Sequence, residues 1–129
     1  MATFVTSDLA EPDAAKKLAI YAAALGAIHP RLAPLLQVLQ SAQGAAPELR
    51  KLWHGIAERR AANMRLFAQE LVGTGGLRPD LSIHTVADII WSMNAVEYWV
   101  LLVHERGWTA DRFQQWLTDA WTRLLLAPS

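Results

Sequence analysis

The sequence predicts a single all-α domain of five helices spanning residues 1–129. Three observations lead there. Apolar residues recur at helical spacing along most of the chain, and no stretch alternates apolar and polar residues as a half-buried strand would. Six prolines, with a glycine cluster at Gly73, Gly75 and Gly76, punctuate that periodicity. Hydrophobic residues make up 53% of 129 residues, enough to close one core and too many for a disordered chain.

The first predicted helix runs from Pro12 to Ile28, since proline suits a first turn where its missing N–H costs nothing. Leu18, Tyr21, Ala22, Leu25 and Ile28 form its stripe. Pro30 and Pro34 then bend or break the chain before a second helix, Arg31 to Gln43, striped by Leu32, Leu35, Leu36 and Leu39. Pro47 starts a long third helix ending near Val72, with Leu49, Leu52, Trp53, Ile56, Met64, Phe67 and Leu71 on one face. Gly73-Thr74-Gly75-Gly76 ends it. Ser82 is a good N-cap for a fourth helix reaching His104, and a fifth follows Thr109 to about Leu126. The stripe of the fifth is Phe113, Trp116, Leu117, Ala120, Trp121 and Leu124.

The fourth helix is apolar nearly all round. Ile83, Val86, Ala87, Ile90 and Leu101 make one face, and only a narrow strip with Asp88 and Ser92 is polar, where even Trp99 falls. Such a helix must be covered on more than one side, which a chain this short has trouble doing alone. A twofold dimer that pairs the fourth and fifth helices as a four-helix bundle would cover it. The interface candidates are Trp99, Val100, Val103, Trp121 and Leu125. The alternative is the central core helix of a monomer.

Composition narrows the function. Lys plus Arg and Asp plus Glu are 12 each, so no basic excess favours nucleic acid, and DNA binding by this chain alone is not expected. Without cysteine there are no disulfides, thiolate metal sites or cysteine nucleophiles, and a cytoplasmic location is the simpler expectation. No run reaches the roughly 18 apolar residues of a membrane span, and Met1 to Asp8 has no signal-peptide pattern. His84 with Asp88 and His54 with Glu58 are spaced i, i+4, a spacing that usually gives a surface contact and supplies too few ligands for a metal. No Gly-x-Ser-x-Gly elbow and no phosphate-binding loop occurs. No metal, cofactor or enzymatic activity is therefore expected.

One polar constellation stands out. On a wheel of about 100° per residue, Arg60 and Asn63 fall on the apolar stripe of the third helix, and Asn94 and Glu97 on that of the fourth. Buried polar groups need partners. Either Arg60 and Glu97 form a salt bridge that fixes helix register, or the four groups line a cavity walled by Trp53, Met64, Phe67, Trp91 and Tyr98, as small-molecule sites are built. A third arrangement lets Arg60 snorkel to the surface.

From about Pro47 onward the chain resembles the ligand-binding and dimerisation domain of TetR-family transcriptional regulators. The resemblance rests on Glu48-Leu49-Arg50-Lys51-Leu52-Trp53, Glu58-Arg59-Arg60, Gly76-Leu77-Arg78-Pro79-Asp80-Leu81-Ser82, Ala87-Asp88-Ile89-Ile90-Trp91, Glu97-Tyr98, and Glu105-Arg106-Gly107-Trp108 with Arg112-Phe113 and Trp116-Leu117. Tyr21-Ala22-Ala23-Ala24-Leu25, His29 and Ala33-Pro34-Leu35-Leu36 extend it upstream. The resemblance implies a homodimer formed through the last two helices, a pocket for a small, often apolar or aromatic ligand, and control of DNA-binding heads. The helix-turn-helix head of that family has no counterpart in Met1 to Glu11. The remaining reading is a ligand-free helical interaction module.

Overall fold

A computed structural model of the chain describes residues 13–128. Pro12, expected in the first helical turn, lies outside them. The described residues form five α-helices: α1 (Ala14–Ala42), α2 (Pro47–Gly73), α3 (Ile83–Met93), α4 (Val96–Trp99) and α5 (Ala110–Leu125). A π-helical segment, Val100–Glu105, continues α4. Among the described residues the all-α class holds, with one isolated bridge between Leu77 and Leu126.

The helix starts follow local chemistry. Asp13, Ser82 and Thr109 each accept a hydrogen bond from the backbone N–H three residues on, at 3.1 Å. That satisfies donors the first turn leaves free. Pro47 sits in the first turn of α2. Two stops use glycine in the left-handed region: Gly75 (φ 75°) after α2 and Gly107 (φ 72°) before α5. At the second, the Trp108 N–H returns to the Leu102 carbonyl at 3.0 Å.

Two helix boundaries differ from expectation. The first and second predicted helices are one, α1, which passes through Pro30 and Pro34. The prolines are four apart and both exposed, so their rings lie on one outward side of the helix. Conversely, the single helix expected from Ser82 to His104 is interrupted at Asn94-Ala95, where α3 and the α4–π segment meet at a 48° bend. α1 also passes the length and hydropathy test for a membrane span, with a mean hydropathy of 1.2, as core helices of soluble proteins do; this corrects the expectation that no segment would.

α1 packs chiefly against α5, and α2 against α3. Leu18, Tyr21, Leu25, Met64, Phe67, Leu71, Val86, Ile90, Phe113, Leu117, Trp121 and Leu125 belong to one buried cluster. Burial of each such side chain contributes about 1.5–3 kcal/mol. Tyr21 joins its two sides, with ring centroids 5.1 Å from Phe67 and 5.7 Å from Trp121. Lys17 Nζ and Glu70 Oε2, 3.7 Å apart, tie α1 to α2. Gly26 lets α5 come close: a Cβ there would stand 3.3 Å from Gln114 Oε1.

The core stops short of the α1–α2 turn. Leu35 is 68% and Val38 70% exposed, and Leu32 and Leu52 are exposed as well. The apolar stripe read at Leu32 and Leu35 is therefore not a core face in this chain. At the opposite end, the residues after α5 return to the α2–α3 loop: Arg78 N–H donates to Leu125 O, and Ala127 N–H to Gly76 O, both at 2.9 Å.

Candidate functional site

The polar constellation converges on Asn94, the residue that closes α3. Its backbone N–H bonds the Ile90 carbonyl at 2.9 Å. Its side-chain oxygen accepts from Arg60 Nη2, and its amide nitrogen lies 2.6 Å from Tyr21 Oη and 3.3 Å from Met64 Sδ. Its carbonyl accepts from His29 Nε2 at 3.1 Å. Every polar group of Asn94 thus has a partner on α1, α2 or α3, in keeping with its burial.

A carbonyl only accepts, so His29 carries its proton on Nε2 and its Nδ1 is a bare lone pair. Nδ1 has no hydrogen-bond partner among the described residues. The ring stacks 5.3 Å from Trp99 and meets the edge of Phe113 at 6.0 Å. Burial lowers the His29 pKa to about 4; the bond to the Asn94 carbonyl opposes this, and the charge on Arg60 adds to it. Burial also pulls Arg60 below its ordinary value, while Tyr21 and Glu97 raise it. A second Arg60 bond goes to the Trp91 carbonyl at 3.0 Å, and its guanidinium stands 5.3 Å over the Trp91 ring.

Of the expected ligand residues, the structure brings together Arg60, Asn94, Met64 and Trp91, with Phe67 reached through Tyr21. Asn63 is exposed, because it lies one helical step off the face that Met64 buries. Glu97 is exposed and accepts from Gln40 Nε2 at 2.7 Å, so it forms no salt bridge with Arg60. The break at Ala95 turns Glu97 off the face that an unbroken helix would give it. Trp53 is half-buried toward the open α1–α2 end. Tyr98 accepts from Trp116 Nε1 at 2.8 Å and packs on Phe113. Arg60, Asn94 and Met64 meet through their own hydrogen bonds.

A cleft of about 230 Å³ lies instead between α2 and α3, lined by Ala61, Arg65, His84, Ala87, Asp88 and Trp91. His84 and Asp88 both face it, but they form no ion pair with each other. Of these residues only Trp91 was an expected ligand contact; His84 and Asp88 are the i, i+4 pair read from the sequence.

The expected interface needs correction too. Trp99 is 2% exposed, and Trp121 and Leu125 are 0% exposed, all within one chain. Trp99 packs 4.8 Å from Phe113 and Trp121 against Tyr21, so neither leaves surface for a second copy. Val100 and Val103 keep part of their surface. The apolar side chains that do face outward here are Leu101, Trp116 and Leu124.

Tyr21, His29 and Gln40 went unread as polar partners. His29 continues the Leu18–Leu25 stripe, but a helix ended at Ile28 by Pro30 leaves it in a loop. No protein-family model, curated protein or solved structure matches the chain.

Proposed function

We propose that the chain is a dimerisation and regulatory domain of the TetR-like kind, self-associating through the π segment and α5. The observation that carries this reading is the apolar surface those elements leave uncovered. Leu101 is 59% and Trp116 40% exposed, with Leu124 exposed and Val100, Val103 and Trp108 half-buried nearby in the chain. Large exposed apolar side chains on neighbouring elements mark association surfaces, and tryptophans supply much of the energy there. Zero formal net charge opposes no second copy by long-range repulsion.

Sedimentation tests it. The wild-type chain is expected to be a dimer at micromolar concentration, and Leu101→Asp a monomer of unchanged helicity. Leu66→Asp, on the exposed face of α2, should stay dimeric. A monomeric wild type at tens of micromolar, or equal effects of the two substitutions, defeats the proposal.

The protein partners of every polar group of Asn94 favour a second reading, a helical interaction module with no ligand. Native mass spectrometry separates the two. Protein mass alone supports the module, and a co-purified small apolar or aromatic molecule supports ligand sensing.

A further inference from the structure

The α1–α2 hairpin continues past the core as an arm. Pro34 to Asn63 are all described, and none of them is buried. The arm is apolar all the same. Leu32, Leu35, Val38 and Leu52 are exposed, and Leu39 and Trp53 are only half-buried. From Leu32 to Pro47 there is no charged side chain, and the turn itself is Gln43-Gly44-Ala45-Ala46. Large exposed apolar side chains grouped in this way mark a contact surface.

Charge says what covers it. Residues 31–65 hold six of the 12 Lys and Arg but two of the 12 Asp and Glu, which leaves six bases against ten acids in the rest of the chain. The arm is therefore the positive end of a neutral protein. Arg31, Arg50, Lys51 and Arg59 are exposed on it. Arg31 lies four residues before Leu35 and seven before Val38, and Leu52 lies seven before Arg59. Bases and apolar side chains thus share helix faces. Two arms meeting would bring like charges together. A nucleic acid would use the bases but leave Leu35 and Val38 in water. An anionic lipid surface uses both. Apolar side chains enter the boundary between headgroups and acyl chains, and Lys and Arg, their stems laid along apolar surface, reach the phosphates. The acids of the remaining chain are repelled by the same surface, which turns the arm toward it.

We propose that the arm from Arg31 to Arg59 docks on the anionic lipid headgroups of a membrane surface, with Leu35 and Val38 entering the interface. This is contact with one face of a bilayer and not a span. It rests on neither the dimer nor the ligand sensing discussed above.

Flotation of the intact chain with lipid vesicles tests the docking. Phosphatidylcholine vesicles with about one third phosphatidylglycerol should carry the protein, and vesicles of phosphatidylcholine alone should carry at least about tenfold less. Leu35→Asp combined with Val38→Asp should cut binding to the anionic vesicles at least about tenfold at unchanged helicity, and Arg50→Glu combined with Lys51→Glu by a similar factor. Val72→Asp, exposed at the other end of α2, should bind as wild type does. A wild-type chain that does not float with the anionic vesicles overturns the inference. So does equal binding to both kinds of vesicle, or an equal loss in Val72→Asp. Sedimentation without lipid supplies the remaining outcome. Self-association lost in Leu35→Asp with Val38→Asp but kept in Leu101→Asp puts a second copy on the arm, and that too overturns it.

Discussion

Residues 30–34 contain two prolines and remain helical, whereas residues 94–95 contain neither proline nor glycine and are not. At Pro30 and Pro34 the rings lie on an exposed face, where no packed element opposes continuation. At Asn94 three elements compete for the same backbone. His29 from α1 and Arg60 from α2 bond the Asn94 and Trp91 carbonyls that an unbroken helix would use, while Tyr21, Arg60 and Met64 hold the Asn94 side chain. A strong local breaker in the wrong place loses to its surroundings, and a well-partnered break needs no breaker.

The largest test of this contrast is Asn94→Leu. It removes the acceptor of a half-buried guanidinium and the amide that meets Tyr21. Stability should fall by about 3–5 kcal/mol, read from urea midpoints. A loss below about 1 kcal/mol would mean that the hub does not hold the break.

Next comes acid. The folded His29 pKa of about 4 lies below its ordinary 6.5, so the unfolded chain binds the extra proton first. The contribution is whole above pH 6.5 and is lost as pH falls toward 4, by about 3 kcal/mol in all. His29→Gln should flatten that part of the stability–pH curve. An equal slope in both chains would place the acid sensitivity elsewhere.

Pro34→Ala should act in the opposite direction. It restores a donor in the interior of α1, and a gain of about 1–2 kcal/mol in thermal or urea unfolding is expected, less than the full proline penalty because the unfolded chain also gains freedom. A destabilised variant would show that the proline ring is packed rather than tolerated. The smallest effect belongs to Ser92→Ala. The Ser92 hydroxyl donates to Ile89 O at 2.8 Å just before the break. Removing it should change stability by less than about 0.5 kcal/mol and leave Ala95 extended. A straightened junction would return the cause of the break to local sequence.

The sequence made the helical class, the caps at Ser82 and Thr109 and the glycine stops readable, because each depends on a few neighbouring residues. The pairing of Arg60 with Asn94 was half-visible. The wheel placed both on inward faces, but it assumed one straight helix and so sent Arg60 to Glu97. His29 was hidden by the same kind of assumption, a helix ended at Pro30. Trp99 shows the cost most plainly. On an unbroken helix it falls on the polar strip and suggests an interface, but beyond the bend it sits between His29 and Phe113. Errors in local geometry propagate to every residue downstream on the same element.

The pairing of α1 with α5 has a consequence for how the protein is made. α1 is among the earliest parts of the described chain to leave the ribosome, and α5 is nearly the last. Tyr21 stacks on Trp121, and Gly26 lies against Gln114. The apolar side of α1 therefore waits, uncovered, until α5 has been made. Closure comes only when α5 is made and Ala127 reaches Gly76. A core built this way cannot close before α5 exists, and until then its growing form is the one most in need of protection from aggregation.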